Sequence, residues 1–178
     1  MTTTNSALVL ARQIEQEYGV LGGMQLQKLV YYSEVWAQVL GGSLFADPIE
    51  AWRDGPVVRD VWVYRRYGGI SISEPELSPL RRTLLDAVIP FYSRKSGTDL
   101  SAQTHAEAPW KDAYAKGVNT PIERIAIRRF YARQALLTPD QVPDLPDIRA
   151  FRPSAEDIVH QAKDISGKWE RTLTILGS

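Results

Sequence analysis

Cysteine is absent from the 178 residues, which excludes disulfides, thiolate nucleophiles and cysteine-based zinc or iron-sulfur sites. Histidine is almost absent too, since only His105 and His160 occur, far apart in the chain and without a partner histidine to complete a metal pair. No apolar run approaches the roughly 20 residues that a bilayer span requires. The opening Met1-Thr2-Thr3-Thr4-Asn5-Ser6 lacks the basic and hydrophobic regions of a secretory signal, so the chain reads as cytoplasmic with no membrane partner. Net charge is missing as well. Lys plus Arg number 21 against 21 Asp plus Glu, and broad phosphate binding needs a basic surplus that this balance does not provide, which argues against a nucleic-acid partner. What is present is ordinary globular composition, 44% hydrophobic and 24% charged, enough for one core.

Hydrophobic spacing and helix punctuation predict a mainly α fold, a compact single domain of about six to seven helices with one small short-stranded β element. Thr4 or Asn5 is read as the cap of a first helix whose Leu8, Ala11, Ile14 and Tyr18 recur at helical spacing up to Gly19. Met24 to Leu40 is apolar nearly all round, which places a second helix at the centre of the fold. Ile49 to Trp52 suits a small extended segment. Gly55-Pro56 reads as the start of a helix over Val57 to Tyr67, and Ile70 to Ile72 as a short strand. Ser78-Pro79 opens a helix to about Tyr92, with Pro90 fraying or kinking its last turn. Asp99 is read as capping a helix over Leu100 to His105, and Pro109-Trp110 as starting another. Thr120-Pro121-Ile122-Glu123 reads as a capping box for a helix to Leu137. Pro139, Pro143, Pro146 and Pro153 then punctuate an irregular connection before Ser154 caps a last helix, followed by a tail that is helix or strand.

Chemistry-bearing residues are sparse. His105, with Asp99, Thr104, Glu107 and Asp112 near it in sequence, is the obvious candidate for a general base, yet no nucleophile motif accompanies it. A histidine packed near Trp110 is the simpler reading. Glu50, Asp54 and Asp60 lack the fixed offsets of a metal-binding loop, so neither metal nor cofactor is expected. Gln27 and Lys28 precede the most apolar stretch and, on a central helix, must find partners such as the Glu50 carboxylate or a backbone carbonyl. Arg124, Arg128, Arg129 and Arg133 recur at helical spacing and read as a solvated or protein-binding face.

Leu26-Gln27-Lys28-Leu29-Val30-Tyr31-Tyr32, Phe45, Ile49-Glu50-Ala51-Trp52 and Gly55-Pro56-Val57-Val58 follow one another in an order that resembles the Panacea-domain family, which includes the SocA-like antitoxins. Leu100-Ser101, Thr104-His105, Pro109-Trp110-Lys111 and Thr120-Pro121-Ile122 extend the resemblance, which covers residues 8–135. The resemblance implies an antitoxin that neutralises a cognate toxin by direct protein contact and performs no chemistry. Alternatives are an adaptor that delivers a toxin or another partner to a protease, and a small His105-dependent hydrolase.

The motif residues Leu26, Gln27, Lys28, Leu29, Tyr31, Tyr32, Glu50, Trp52, Gly55, Pro56, Val57, Thr104, His105, Pro109 and Trp110 are then read as a common scaffold, with partner choice on the variable surface. Residues 1–137 form the Panacea-like helical domain in this reading, and residues 138–178 a Pro-rich connection and terminal segment packed on it or touching the partner. Arg128 and Arg129, together with Ile165, Trp169 and Leu173 of the terminal stripe, are the candidate partner contacts.

Overall fold

A computed structural model describes residues 6–68 and 78–147. In chain order these form α1 (Ala7–Tyr18), α2 (Gly23–Val39), β1 (Glu50–Trp52), β2 (Gly55–Val57), α3 (Arg59–Tyr67), α4 (Pro79–Tyr92), α5 (Gly97–Ala106), α6 (Ala108–Lys116), β3 (Thr120–Pro121) and α7 (Arg124–Leu137). A single 3-10 turn, Pro139–Gln141, follows. The fold is mainly α, as the hydrophobic spacing predicts. The small antiparallel sheet has the order β2-β1-β3. No helix among the described residues is long and apolar enough to cross a membrane.

The centre is α2, packed on α1, α4, α5 and α7. Every residue from Leu26 to Gln38 is buried, the consequence of an apolar surface that leaves no face for water. Tyr32 stacks on Tyr92 of α4, with ring centroids 4.0 Å apart, and the Trp36 indole donates to the Tyr92 hydroxyl at 3.0 Å. Buried Tyr and Trp carry polar tips, and each tip here finds a partner inside the core.

Several local signals resolve differently from the sequence expectation. Gly55-Pro56-Val57 is strand β2, paired with β1 in the register Glu50 to Val57, Ala51 to Pro56 and Trp52 to Gly55, and the helix begins only at Arg59. The fixed φ of proline suits an extended strand as well as a first helical turn, and pairing with β1 decides between them. Thr120-Pro121 is likewise a strand, β3, held on β1 by the Ile122 amide donating to the Ile49 carbonyl at 2.7 Å. No capping box forms, because the Thr120 hydroxyl donates backwards to the Gly117 carbonyl at 2.7 Å, and Glu123 caps α7 without its side chain.

Ser96, not Asp99, caps α5; Asp99 is the third residue of the helix and closes a reciprocal capping box with Ser96. Ser6 occupies the cap position of α1, whose first amide donates to Asp47 at 2.9 Å, a partner from a distant loop. Ser78 caps α4 as expected, and Pro90 is carried inside that helix. Thr4, Asn5, the strand expected over Ile70 to Ile72 and the helix expected after Ser154 lie outside the described residues.

Candidate functional site

The β1–β2 hairpin lies over the first turns of α2, where the polar side chains of that helix begin. Gln27 grips the chain just after β2, its amide donating to the Val58 carbonyl at 3.2 Å and accepting from the Val58 amide at 3.0 Å. Lys28, next in line, donates to the Pro56 carbonyl at 3.1 Å. This close approach requires Gly55: its φ is +105°, and a Cβ there would sit 2.6 Å from Lys28 Nζ and 2.7 Å from Thr104 Oγ1. From the other side the Ser101 hydroxyl donates to the Asp54 carbonyl at 2.8 Å, and the Trp110 indole to the Trp52 carbonyl at 2.9 Å. The hairpin is thus clamped between α2 and the α5–α6 pair.

Burial, only partly opposed by the Asp54 carboxylate, lowers the Lys28 ammonium to about 8. His105 stacks on Trp110, with ring centroids 4.1 Å apart, and Trp110 on Tyr114. Burial and, next, the Lys28 charge hold His105 below its ordinary range, although Asp54 and a hydrogen bond with the Arg53 backbone pull the other way. His105 Nε2 is buried with no hydrogen-bond partner among the described residues. Lys28, Asp54 and His105, from three separate segments, therefore influence one another, which sequence order does not display.

In front of Lys28 opens a pocket of about 380 Å³, walled by Trp52, Trp62, Asp54 and the guanidinium-bearing Arg53, Arg65 and Arg66, with Gly23 and Met24 of α2 at its edge. Glu50 does not serve Lys28: it accepts from the Trp52 indole at 2.7 Å and pairs with Arg59 at 2.8 Å. The backbone carbonyl, not the carboxylate, is the partner that the lysine finds. No group of three or more His, Asp or Glu among the described residues could hold a metal ion.

Two further polar centres lie outside this pocket. Glu34 in α2 is 0% exposed and is paired with Arg124 of α7. It also accepts from Gln38 at 2.9 Å, Ser43 at 2.8 Å and the Leu44 amide at 2.7 Å. Arg124 reaches the carbonyls of Phe45 and Asp47 as well, so this arginine ties α7 to the chain after α2 and leaves the expected row of free arginines. Arg128 and Arg129 are exposed on α7, and Arg128 borders a second pocket of about 610 Å³ with Arg81 and Arg124. The other centre is Glu107, which accepts hydrogen bonds from Tyr32, Tyr131 and Gln103. Burial raises its carboxyl to about 6 against the opposing effect of those bonds.

Of the motif residues, Leu26, Leu29, Tyr31, Tyr32 and Thr104 are fully enclosed, Val57, Pro109 and Trp110 are buried, and Glu50 and Trp52 are half-buried at the hairpin. Ile165, Trp169 and Leu173 lie outside the described residues. Glu34, Trp62 and Arg66 were not singled out by spacing. An acid inside the apolar run of α2 was the available signal for Glu34; nothing local marks the other two.

Residues 26–111 match the family model described as antitoxin SocA-like, Panacea domain. No curated protein and no solved structure matches the chain. The matched segment runs from the buried face of α2 through the hairpin to the α6 residues that clamp it. Over that segment, residues 26–111, the chain is similar to the SocA-like Panacea-domain antitoxins.

Proposed function

We propose that the protein is an antitoxin that neutralises a cognate toxin by direct protein-protein binding, without catalysis or cofactor. The observation that carries this reading is the match of residues 26–111 to the SocA-like antitoxin domain. The site chemistry is compatible with it. The motif side chains hold the hairpin against α2 and α5, which leaves partner choice chiefly to the residues around them. His105, the one candidate base, is stacked on Trp110 and held toward its neutral form.

Co-expression with the product of the neighbouring gene tests the reading. Growth arrest by that product alone, rescue by this protein, and co-purification of the two as a stable complex are the expected results. An interface of roughly 1,200 Å² or more is expected of such a complex. Rescue without a complex, through modification of the toxin or through RNA, would overturn direct binding.

A further inference from the structure

The pocket in front of Lys28 holds more positive charge than its own residues neutralise. Lys28, Arg53, Arg65 and Arg66 face the single carboxylate of Asp54. Arg65 is engaged, its guanidinium bonded to Glu15 at 2.7 Å and to the Leu21 carbonyl at 2.6 Å. Among the described residues neither Arg53 nor Arg66 is in a salt bridge. Arg66 instead lies over the Trp62 ring, 5.4 Å from its centroid.

At the floor, Lys28 is 1% exposed, and its ammonium makes one hydrogen bond to the described protein, at 3.1 Å to Pro56. An ammonium carries three donors, and a buried one is costly while two of them lack partners. An anion entering from the open side supplies those partners together with a countercharge. Asp54 offsets part of that charge, and Arg53 and Arg66 are exposed to solvent, so the cation left needing a countercharge is the buried Lys28, which one negative charge meets. Trp52 and Trp62, with ring centroids 5.5 Å apart, give the pocket an apolar flank suited to a short methylene stem.

We propose that this pocket receives the carboxylate of a glutamate or aspartate side chain projecting from the protein partner. Lys28 meets the carboxylate, Arg66 and Arg53 guard the entrance, and the two indoles cover the stem. The identity of that partner as the toxin rests on the antitoxin reading; the chemistry of the pocket does not.

The indole N–H signals of isotope-labelled protein give the test, because Trp52 and Trp62 wall the pocket and Trp36 lies in the core. Titration with an acetyl-Gly-Glu-Gly-amide peptide should shift the Trp52 and Trp62 signals to saturation and leave Trp36 unmoved. The Gln counterpart should shift neither. Lys28→Met and Arg66→Gln should each weaken the peptide by about tenfold or more, the loss expected for a charge-assisted hydrogen bond. Arg66 is exposed, so its variant keeps the test decisive if Lys28→Met fails to fold.

Equal shifts with the Glu and Gln peptides, or none, overturn the proposal. Tighter saturation by inorganic phosphate overturns the assignment to a carboxylate. Movement of the same indoles in a Glu74→Gln, Glu76→Gln variant without peptide assigns the pocket to the chain's own acids and overturns it too. In the rescue assay, Arg66→Gln should abolish or weaken complex formation. Peptide binding with undiminished rescue by Arg66→Gln sinks the docking role alone, whereas peptide binding beside a harmless neighbouring gene product sinks the antitoxin reading alone.

Discussion

Gly55 sits at φ +105°, with Lys28 Nζ and Thr104 Oγ1 both within 2.7 Å of where a Cβ would stand. Neither neighbour can withdraw freely: Lys28 is tied to Pro56, and Thr104 is bonded to the Ser101 carbonyl at 2.8 Å. Gly55→Ala should therefore destabilise the fold by about 2 to 4 kcal/mol, backbone strain and overpacking together, as read by urea denaturation. The requirement is invisible in sequence, where Gly-Pro reads equally well as the start of a helix. Lys28 was half legible. A lysine in an apolar run must be satisfied, but whether by a carboxylate or by a carbonyl depends on which strand lies beside it. The hairpin register brings the Pro56 carbonyl to Lys28 and turns Glu50 to Trp52 and Arg59.

Among the elements, α7 shows how equal spacing conceals unequal roles. Arg124, Arg128, Arg129 and Arg133 recur at one helical period, yet Arg124 alone pairs with the fully buried Glu34 of α2, across 90 positions of chain. Removing one member of a buried pair leaves an uncompensated charge, a loss of about 3 to 5 kcal/mol in a closed interior. Arg124 is 39% exposed, so water relieves part of that loss. Arg124→Ala should cost about 2 to 3 kcal/mol. Arg128→Ala, on the same helix and exposed, should stay within about 0.5 kcal/mol. Thermal denaturation of the two variants side by side checks the contrast; equal effects would mean that the Glu34 pair does not bind α7 to α2.

At the scale of the whole molecule, a titrating group sits at a junction of several of the described elements. Glu107, between α5 and α6, accepts from Tyr32 of α2 and Tyr131 of α7, so its ionisation acts on the packing of both helices against the α5–α6 corner. Burial raises its carboxyl from an ordinary 4.5 to about 6. An acid with a higher folded than unfolded pKa binds its proton more tightly when folded. Its contribution to stability is therefore complete below 4.5, declines as pH rises from there to about 6, and is flat above. The change is at most about 2 kcal/mol. Glu107→Gln should remove that slope from the stability-pH profile; an unchanged profile would show that Glu107 is not its source.

By itself the sequence determined the helical class, the central place of α2 and the positions of most breaks, because hydrophobic period and Gly or Pro punctuation act over a few residues. The ordered run from Leu26 to Lys111 also carried the similarity to the SocA-like Panacea domain. Only the tertiary structure decided that Gly55-Pro56-Val57 and Thr120-Pro121 are strands and that Glu34 belongs to Arg124. It alone also gathered Lys28, Asp54, Trp62 and Arg66 around one pocket. The physical reason is range. A strand this short has no stability apart from its neighbours, and a buried charge selects its partner from whatever the packed helices bring within hydrogen-bond reach, at any distance along the chain.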